Sequence, residues 1–177
     1  TTIGGDLQWN VYADDQPGHG GVGDLNATDD VQFISELIDW FCDAHAIDAT
    51  RVYVTGHSNG GGYTYLLWAA RGDVFAAVAP TAAAAPREIA DKLKPKPALH
   101  LAGENDPLVK YVWQEAIIAK LCTLNQCGEG EPWGEYCTLY PSKIGAPVVA
   151  YVHPGAHGFP AGAEKVIVKF FREHAKP

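Results

Sequence analysis

Apolar positions along this chain alternate between two spacings. Over residues 29–45, Val31, Ile34, Leu37, Ile38 and Phe41 recur every three or four positions, which predicts an amphipathic helix. Asp29 and Asp30 fall in its first turn, where negative charge suits the helix dipole. Residues 52–55 form a short β-prone run that predicts a buried strand, and residues 61–71 a helix with a glycine-rich start. The alternation continues with a strand over 75–79, a short helix over 87–93, a strand over 98–102 and a helix over 111–121. A strand over 148–152 and an amphipathic helix over 163–174 complete it. Strands alternating with helices predict an α/β fold: a mostly parallel sheet flanked by helices. Four clear strands are few for such a sheet. Residues 1–23, which contain DDQPGHGGVGD, dense in turn formers, read as mostly loop.

Length and composition narrow the picture. At 177 residues, with 47% hydrophobic and 19% charged, the chain reads as one domain spanning 1–177, without internal repeat or linker. No apolar run approaches the ~20 residues of a membrane span, so no membrane partner is expected. The net charge of -8 argues against nucleic acid, whose affinity rests on basic contacts to phosphates. The chain contains no methionine, so Thr1 is not a translation start. A mature, trimmed or partial chain is expected, and no signal peptide is visible in it.

Cys42, Cys122, Cys127 and Cys137 lack paired C-x-x-C spacing, which disfavours structural zinc. Four cysteines allow three full pairings. Closure of the Gly- and Glu-rich segment GEGEPWGEY favours Cys127 with Cys137, against the alternative of four free thiols.

Candidate chemistry centres on VYVTGHSNGGG. Ser58, one of three serines in the chain, sits in a G-x-S-x-G between a predicted strand and a predicted helix. Such a turn lifts a nucleophile clear of a sheet and points a helix N-terminus at it. The backbone N–H of Asn59 is then an oxyanion donor. The competing reading of Ser58 is a serine that caps the helix. A serine needs a base, and the base an orienting acid. In strand-turn-helix hydrolases of this type the order is Ser, then Asp or Glu, then His.

ALHLAGENDPLVKY supplies Glu104 and Asp106 after a strand; VVAYVHPGAHGFP supplies His153 and His157 after another. Asp106 is preferred because it lies deeper in its loop and precedes Pro107. Its alternative role is to cap a helix beginning near Leu108. His157 is preferred because its loop is flanked by glycine, whereas His153 ends a strand. His153 and His157 are four apart, but Pro154 and Gly155 between them rule out a helical metal pair; no metal or other cofactor is expected. His57 is expected to point away from the site. GHGGVG over 18–23 also fits a dinucleotide fingerprint, but no strand precedes it, and the acidic residues Asp39 and Asp43 fall within a helix.

RVYVTGHSNGGGYTY, FAAVAP, LHLAGENDPLVKY and HPGAHGFP resemble the polyhydroxybutyrate depolymerase and feruloyl esterase-like branch of the α/β-hydrolases. The segment leading from Gly21 into the elbow strand resembles that branch too, so the likeness runs from about Leu7 onward. It implies hydrolysis of a small carboxylic ester by Ser58 as nucleophile, Asp106 as acid and His157 as base. It also implies a bridge between Cys127 and Cys137 and export to the periplasm or cell exterior. Phe159 stands where a tryptophan is common in that branch. The strands that precede the elbow there, with a loop giving the second oxyanion donor, have no counterpart in this chain. Residues 18–23 are the one candidate for that donor.

Trp9, Tyr63 and Trp133 are candidate walls for an acyl pocket. Short acyl esters are the expected substrates, with feruloyl or short polyester chains as further options. Two rivals stand beside this reading: a thioesterase or acyltransferase using the same residues, and a non-catalytic binding module of the same fold. A sheet edge left open by missing strands would suit a homodimer.

Overall fold

In strands covered on both faces, apolar residues are needed at nearly every position, and the short runs AVAPT and ALHLAG are buried throughout. The computed structural model describes residues 2–3, 6–9, 11 and 29–177. Its elements are β1 (Thr2–Ile3), β2 (Asp6–Leu7), α1 (Asp29–Ala44), β3 (Tyr53–His57) and α2 (Asn59–Arg71). They continue through β4 (Ala77–Thr81), α3 (Arg87–Ala90), β5 (Ala98–Gly103), α4 (Tyr111–Leu124), β6 (Glu131–Gly134), β7 (Cys137–Tyr140), β8 (Val148–His153) and α5 (Ala163–Arg172). The main sheet has six strands in the order β3-β4-β5-β8-β7-β6. β3, β4, β5 and β8 run parallel, while β7 and β6 are antiparallel. The loop GHGGVG over 18–23 lies outside the described residues.

Period-2 alternation splits the strand residues between two layers. Val78, Ala98 and Val148 face Tyr65, Leu66, Trp68, Ile89, Ile117 and Leu121, so α1 to α4 cover one face. Ala77, Leu99, Leu101, Val149 and Tyr151 face Ile167 and Phe170 of α5 on the other. Each fully covered Leu or Phe contributes about 1.5–3 kcal/mol.

Three features differ from the sequence reading. First, the hairpin β6–β7 begins in the segment read as a disulfide loop and runs past it to Tyr140. Its strands are four residues each, Pro132 sits in the outer one, and both are poor strand signals. Second, the α1 stripe is narrower than its pattern. Val31, Ile34 and Ile38 pack on the core, while Leu37 and Phe41 turn outward with Phe33 and Trp40, which is 56% exposed. Among the described residues, β3 has a strand partner on one side only.

Third, the expected Cys127–Cys137 bridge is absent, and all four cysteines are free thiols. Cys127 pairs with Ser142 across an antiparallel bridge, whereas Cys137 lies opposite Tyr151. Cys137 and Ser142 are thus roughly 15 Å apart along one extended run, far beyond the ~7 Å that a disulfide spans between Cα atoms. The register, not the loop length, decides the matter. The thiols that meet are Cys122 and Cys127. The Cys127 amide donates to the Cys122 carbonyl at 2.9 Å. Burial first, and Cys127 second, push the Cys122 thiol up to about 12. Non-reducing peptide mapping is therefore expected to return no Cys127–Cys137 link; finding one would contradict the register of β7.

Candidate active site

The end of β3 delivers Ser58 in a conformation few residues adopt, with φ 56° and ψ -117°. Two contacts hold this turn. The Ser58 amide donates to the Thr81 carbonyl at 2.9 Å, and the Gly62 amide closes back onto the Ser58 carbonyl at 2.9 Å. A Cβ on Gly56 would overlap the Gly60 carbonyl, so the turn demands glycine there. Gly60, the second glycine of the motif, has open space around its own Cβ position. Ser58 makes no side-chain cap to α2, which removes the helix-cap reading. Its hydroxyl turns toward His157 instead.

Asp106 and His157 meet because their loops leave adjacent parallel strands in register. Gly103 at the end of β5 pairs with His153 at the end of β8. Beyond them the loops are stitched together: the Glu104 amide donates to the His153 carbonyl at 2.9 Å, and the Asn105 amide to the Gly155 carbonyl at 3.0 Å. A Cβ on Gly103 would overlap the Ala156 carbonyl, so that close approach also needs glycine.

The three predicted residues form a continuous line. Asp106 Oδ2 lies 2.8 Å from His157 Nδ1, and His157 Nε2 lies 2.7 Å from Ser58 Oγ. With the carboxylate able only to accept, His157 carries its proton on Nδ1 and offers the Nε2 lone pair to Ser58. Asp106 Oδ1 accepts the amides of Leu108 and Val109, each at 2.9 Å. Asp106 thus both caps the turn and holds the histidine, and α4 starts at Tyr111 rather than near Leu108. Burial pulls the Asp106 carboxyl upward, but hydrogen bonds from His157, Val109 and Leu108 outweigh it and hold it below the usual carboxylate range.

Glu104 is exposed on the same loop. His153 is buried at the end of β8, its Nδ1 accepting the Gly155 amide at 3.1 Å. Asn59 begins α2, where the first amides have no intrahelical acceptor. Its side chain is clamped: the Trp9 amide donates to Oδ1 at 2.8 Å and Nδ2 donates to the Trp9 carbonyl at 3.2 Å.

His57 departs from expectation. It does not point away; its ring lies 5.0 Å from that of His157, with Phe159 edge-on at 6.1 Å. The Thr81 hydroxyl donates to the Gly56 carbonyl at 3.1 Å and so accepts from His57 Nδ1, also at 3.1 Å. Burial first, and the neighbouring His157 second, lower the His57 pKa and keep its ring neutral. Among the expected walls, Trp9 stacks on Tyr63 at 4.6 Å beside Asn59. Trp133 packs elsewhere, edge-on to Phe170 and under the Lys169 ammonium, on the α5 side of the sheet.

Sequence reasoning also missed three buried residues behind Asp106. Gln114 Nε2 donates to Asp106 Oδ2 at 3.3 Å and to the Val109 carbonyl at 2.7 Å. His100 Nε2 lies 3.3 Å from Gln114 Oε1, and the Tyr65 hydroxyl 2.7 Å from His100 Nδ1. Two signals were readable: a glutamine on the Gln114, Ile117, Ile118, Leu121 face of α4, and a histidine inside the otherwise apolar ALHLAG.

The prolyl oligopeptidase family (Peptidase_S9) matches residues 20–88, a stretch that holds the elbow. A bifunctional acetylxylan esterase/xylanase of Neocallimastix patriciarum is 30% identical over 119 residues, 62% of this chain and 18% of that protein. Feruloyl esterase B of Piromyces equi is 38% identical over 88 residues, 47% of this chain and 16% of that protein. The chain therefore spans less than a fifth of these curated relatives.

Among solved structures, a glucuronoyl esterase from Solibacter usitatus aligns with a TM-score of 0.64 at 14% identity, over 89% of this chain and 52% of that one. An acetyl xylan esterase from Aspergillus awamori aligns at 0.60 and 13% identity, over 86% of this chain and 68% of that one. These likenesses and the mostly parallel sheet with helices on both faces establish that the chain has the α/β-hydrolase fold.

Proposed function

We propose that this chain hydrolyses carboxylic esters by acyl transfer through Ser58, with His157 as general base and Asp106 as its orienting acid. The observation that carries the reading is the Asp106–His157–Ser58 line, 2.8 and 2.7 Å long, ending on a strained turn at a helix N-terminus. His157 Nε2 takes the Ser58 proton as Oγ bonds to the ester carbonyl carbon, and the carbonyl electron pair moves onto oxygen. The Asn59 amide, at the positive end of α2, stabilises that oxyanion. His157 then protonates the leaving alkoxide as its C–O bond breaks. Water repeats the sequence, releases the acid and restores Ser58. Every proton and electron pair is accounted for by this chain and water.

Phe159 is 44% exposed and edge-on to His57, whose ring in turn neighbours that of His157. Such an edge admits an ester carried on a larger body. The similar proteins named for acetylxylan and feruloyl esters support a short acyl or hydroxycinnamoyl ester on a polysaccharide as substrate. A polymer-borne ester lies outside the cell, so the reading includes export. No helix among the described residues is long and apolar enough to cross a membrane.

The prolyl oligopeptidase match favours one second reading, amide hydrolysis by the same three residues. The test runs p-nitrophenyl acetate and butyrate and methyl ferulate beside an N-acyl p-nitroanilide, with a fluorophosphonate label mapped by peptide mass. Turnover of esters and a label on Ser58 are expected. A folded protein labelled elsewhere, or not at all, would falsify the reading; faster release of the anilide would replace it with the second.

A further inference from the structure

Asp106 Oδ2 receives two donors, and only one of them belongs to the reacting line. One is His157 Nδ1 at 2.8 Å; the other is the fully buried Gln114 Nε2 at 3.3 Å. The Gln114 amide orientation is dictated by chemistry, because its nitrogen faces two groups that only accept, the Asp106 carboxylate and the Val109 carbonyl. Its oxygen then requires a donor, which fixes the proton of His100 on Nε2. His100 Nδ1 is left as an acceptor and takes the Tyr65 hydroxyl proton. Tyr65, His100 and Gln114 are all fully buried. Burial, with a smaller opposing effect from Gln114, brings His100 down to about 4, so its ring stays neutral and the proton arrangement has one sense.

We propose that Gln114, backed by His100 and Tyr65, is a positioning residue for Asp106. Three buried donors aligned in one direction hold the carboxylate plane with Oδ2 turned to His157. This inference rests on the esterase reading above and extends it.

The physical reason for such a support is specific. The Leu108 and Val109 amides anchor Oδ1 alone and leave the carboxylate free to pivot about that oxygen. A second donor on Oδ2 from behind stops the pivot. Packing alone would ask only for an apolar side chain on the buried face of α4, where Ile117, Ile118 and Leu121 also lie. A polar side chain buried there is costly unless satisfied, and each of these three is satisfied by the next along the line to Asp106.

The test compares wild type, Gln114→Met and Tyr65→Phe. Gln114→Met keeps length and volume and removes both polar ends. Tyr65→Phe removes one far hydroxyl and keeps the ring, so it folds even where the first variant does not. Ester turnover is normalised to active sites titrated with a fluorophosphonate, and the low-field proton resonance of His157 Nδ1–H is followed by NMR. In Gln114→Met, kcat is expected to fall by about 10- to 100-fold at unchanged KM, because small misplacements of a reacting group carry penalties of that size. The resonance should move. Tyr65→Phe should give a smaller kcat loss, about 2- to 5-fold, with a shift of the same resonance in the same direction.

A merely structural role would lower the amount of active protein and leave both per-site kcat and the resonance in place; that result would overturn the proposal. If wild type hydrolyses no ester, the esterase reading falls alone. The resonance still decides this one, supporting it if it moves in either variant and overturning it if it does not.

Discussion

Ser58→Ala is expected to lower kcat for p-nitrophenyl acetate by about 10⁵-fold, in the range seen when one member of a serine triad is removed. The change is small in the folded state. Among the described residues, Ser58 Oγ makes one hydrogen bond, to His157 Nε2, and it caps nothing in α2. The strained turn at φ 56° is held by the backbone, through Thr81 and the close approach of Gly56 to Gly60. Alanine meets the same strain there, so stability should change by no more than about 0.5 kcal/mol. The large kinetic loss and the small thermal change separate nucleophilic from structural duty. Wild-type and variant turnover, read beside thermal unfolding, check it. A variant retaining a tenth of wild-type kcat would move the nucleophile away from Ser58.

Much of this site was legible because its parts are punctuated. Glycines mark the elbow turn, and Asp106 and His157 each follow a short apolar strand in a loop punctuated by glycine and proline. The order of β3, α2, β4, β5 and β8 came from the switch between spacings of two and of three to four. What stayed hidden has a common cause. Cross-strand register is not written in local composition, so nothing in GEGEPWGEY distinguishes a disulfide loop from the β6–β7 turn. The pairing of Cys127 with Ser142 alone puts Cys137 out of reach. In the same way, Leu37 and Phe41 share the spacing of Val31 and Ile38, yet only the latter two pack inward. Helical spacing gives the existence of a stripe, while the neighbouring element sets its width.

His57 shows the limit at the finest scale. A residue next to an elbow alternates away from it in an ideal strand. The sharp turn at Ser58 breaks that alternation, and the Thr81 hydroxyl draws the His57 ring to the same side as His157. Gln114 was hidden differently. Its position on α4 reads as a core site by period, and only the contact map reveals that the core there is the rear of Asp106.

Asp106→Asn should lower kcat by about 10⁴-fold with KM little changed. Four donors converge on this carboxylate: the Leu108 and Val109 amides on Oδ1, and His157 Nδ1 and Gln114 Nε2 on Oδ2. A carboxylate accepts all four, and an asparagine cannot in either orientation. With its oxygen toward the two amides, its NH₂ faces His157 Nδ1 and Gln114 Nε2. His157 then shifts its proton to Nε2, which presents a donor to Ser58 and ends its service as a base. With the amide flipped, the NH₂ meets the Leu108 and Val109 amides instead, and two part-buried donors lose their acceptor, at a penalty below the about 1–3 kcal/mol of a fully buried one. The fold is therefore expected to weaken in the variant as well as the rate.

The pH dependence has a definite sign. The Asp106 carboxyl is lowered in the folded state, so its contribution to stability is present above the ordinary value of 3.8 and fades as pH falls through the lowered one. Acid unfolding should show that extra loss in wild type and lack it in Asp106→Asn, measured by thermal melts through the acidic range. A kcat within tenfold of wild type would remove Asp106 from the reacting line and leave Glu104, exposed on the same loop, as the next carboxylate to replace.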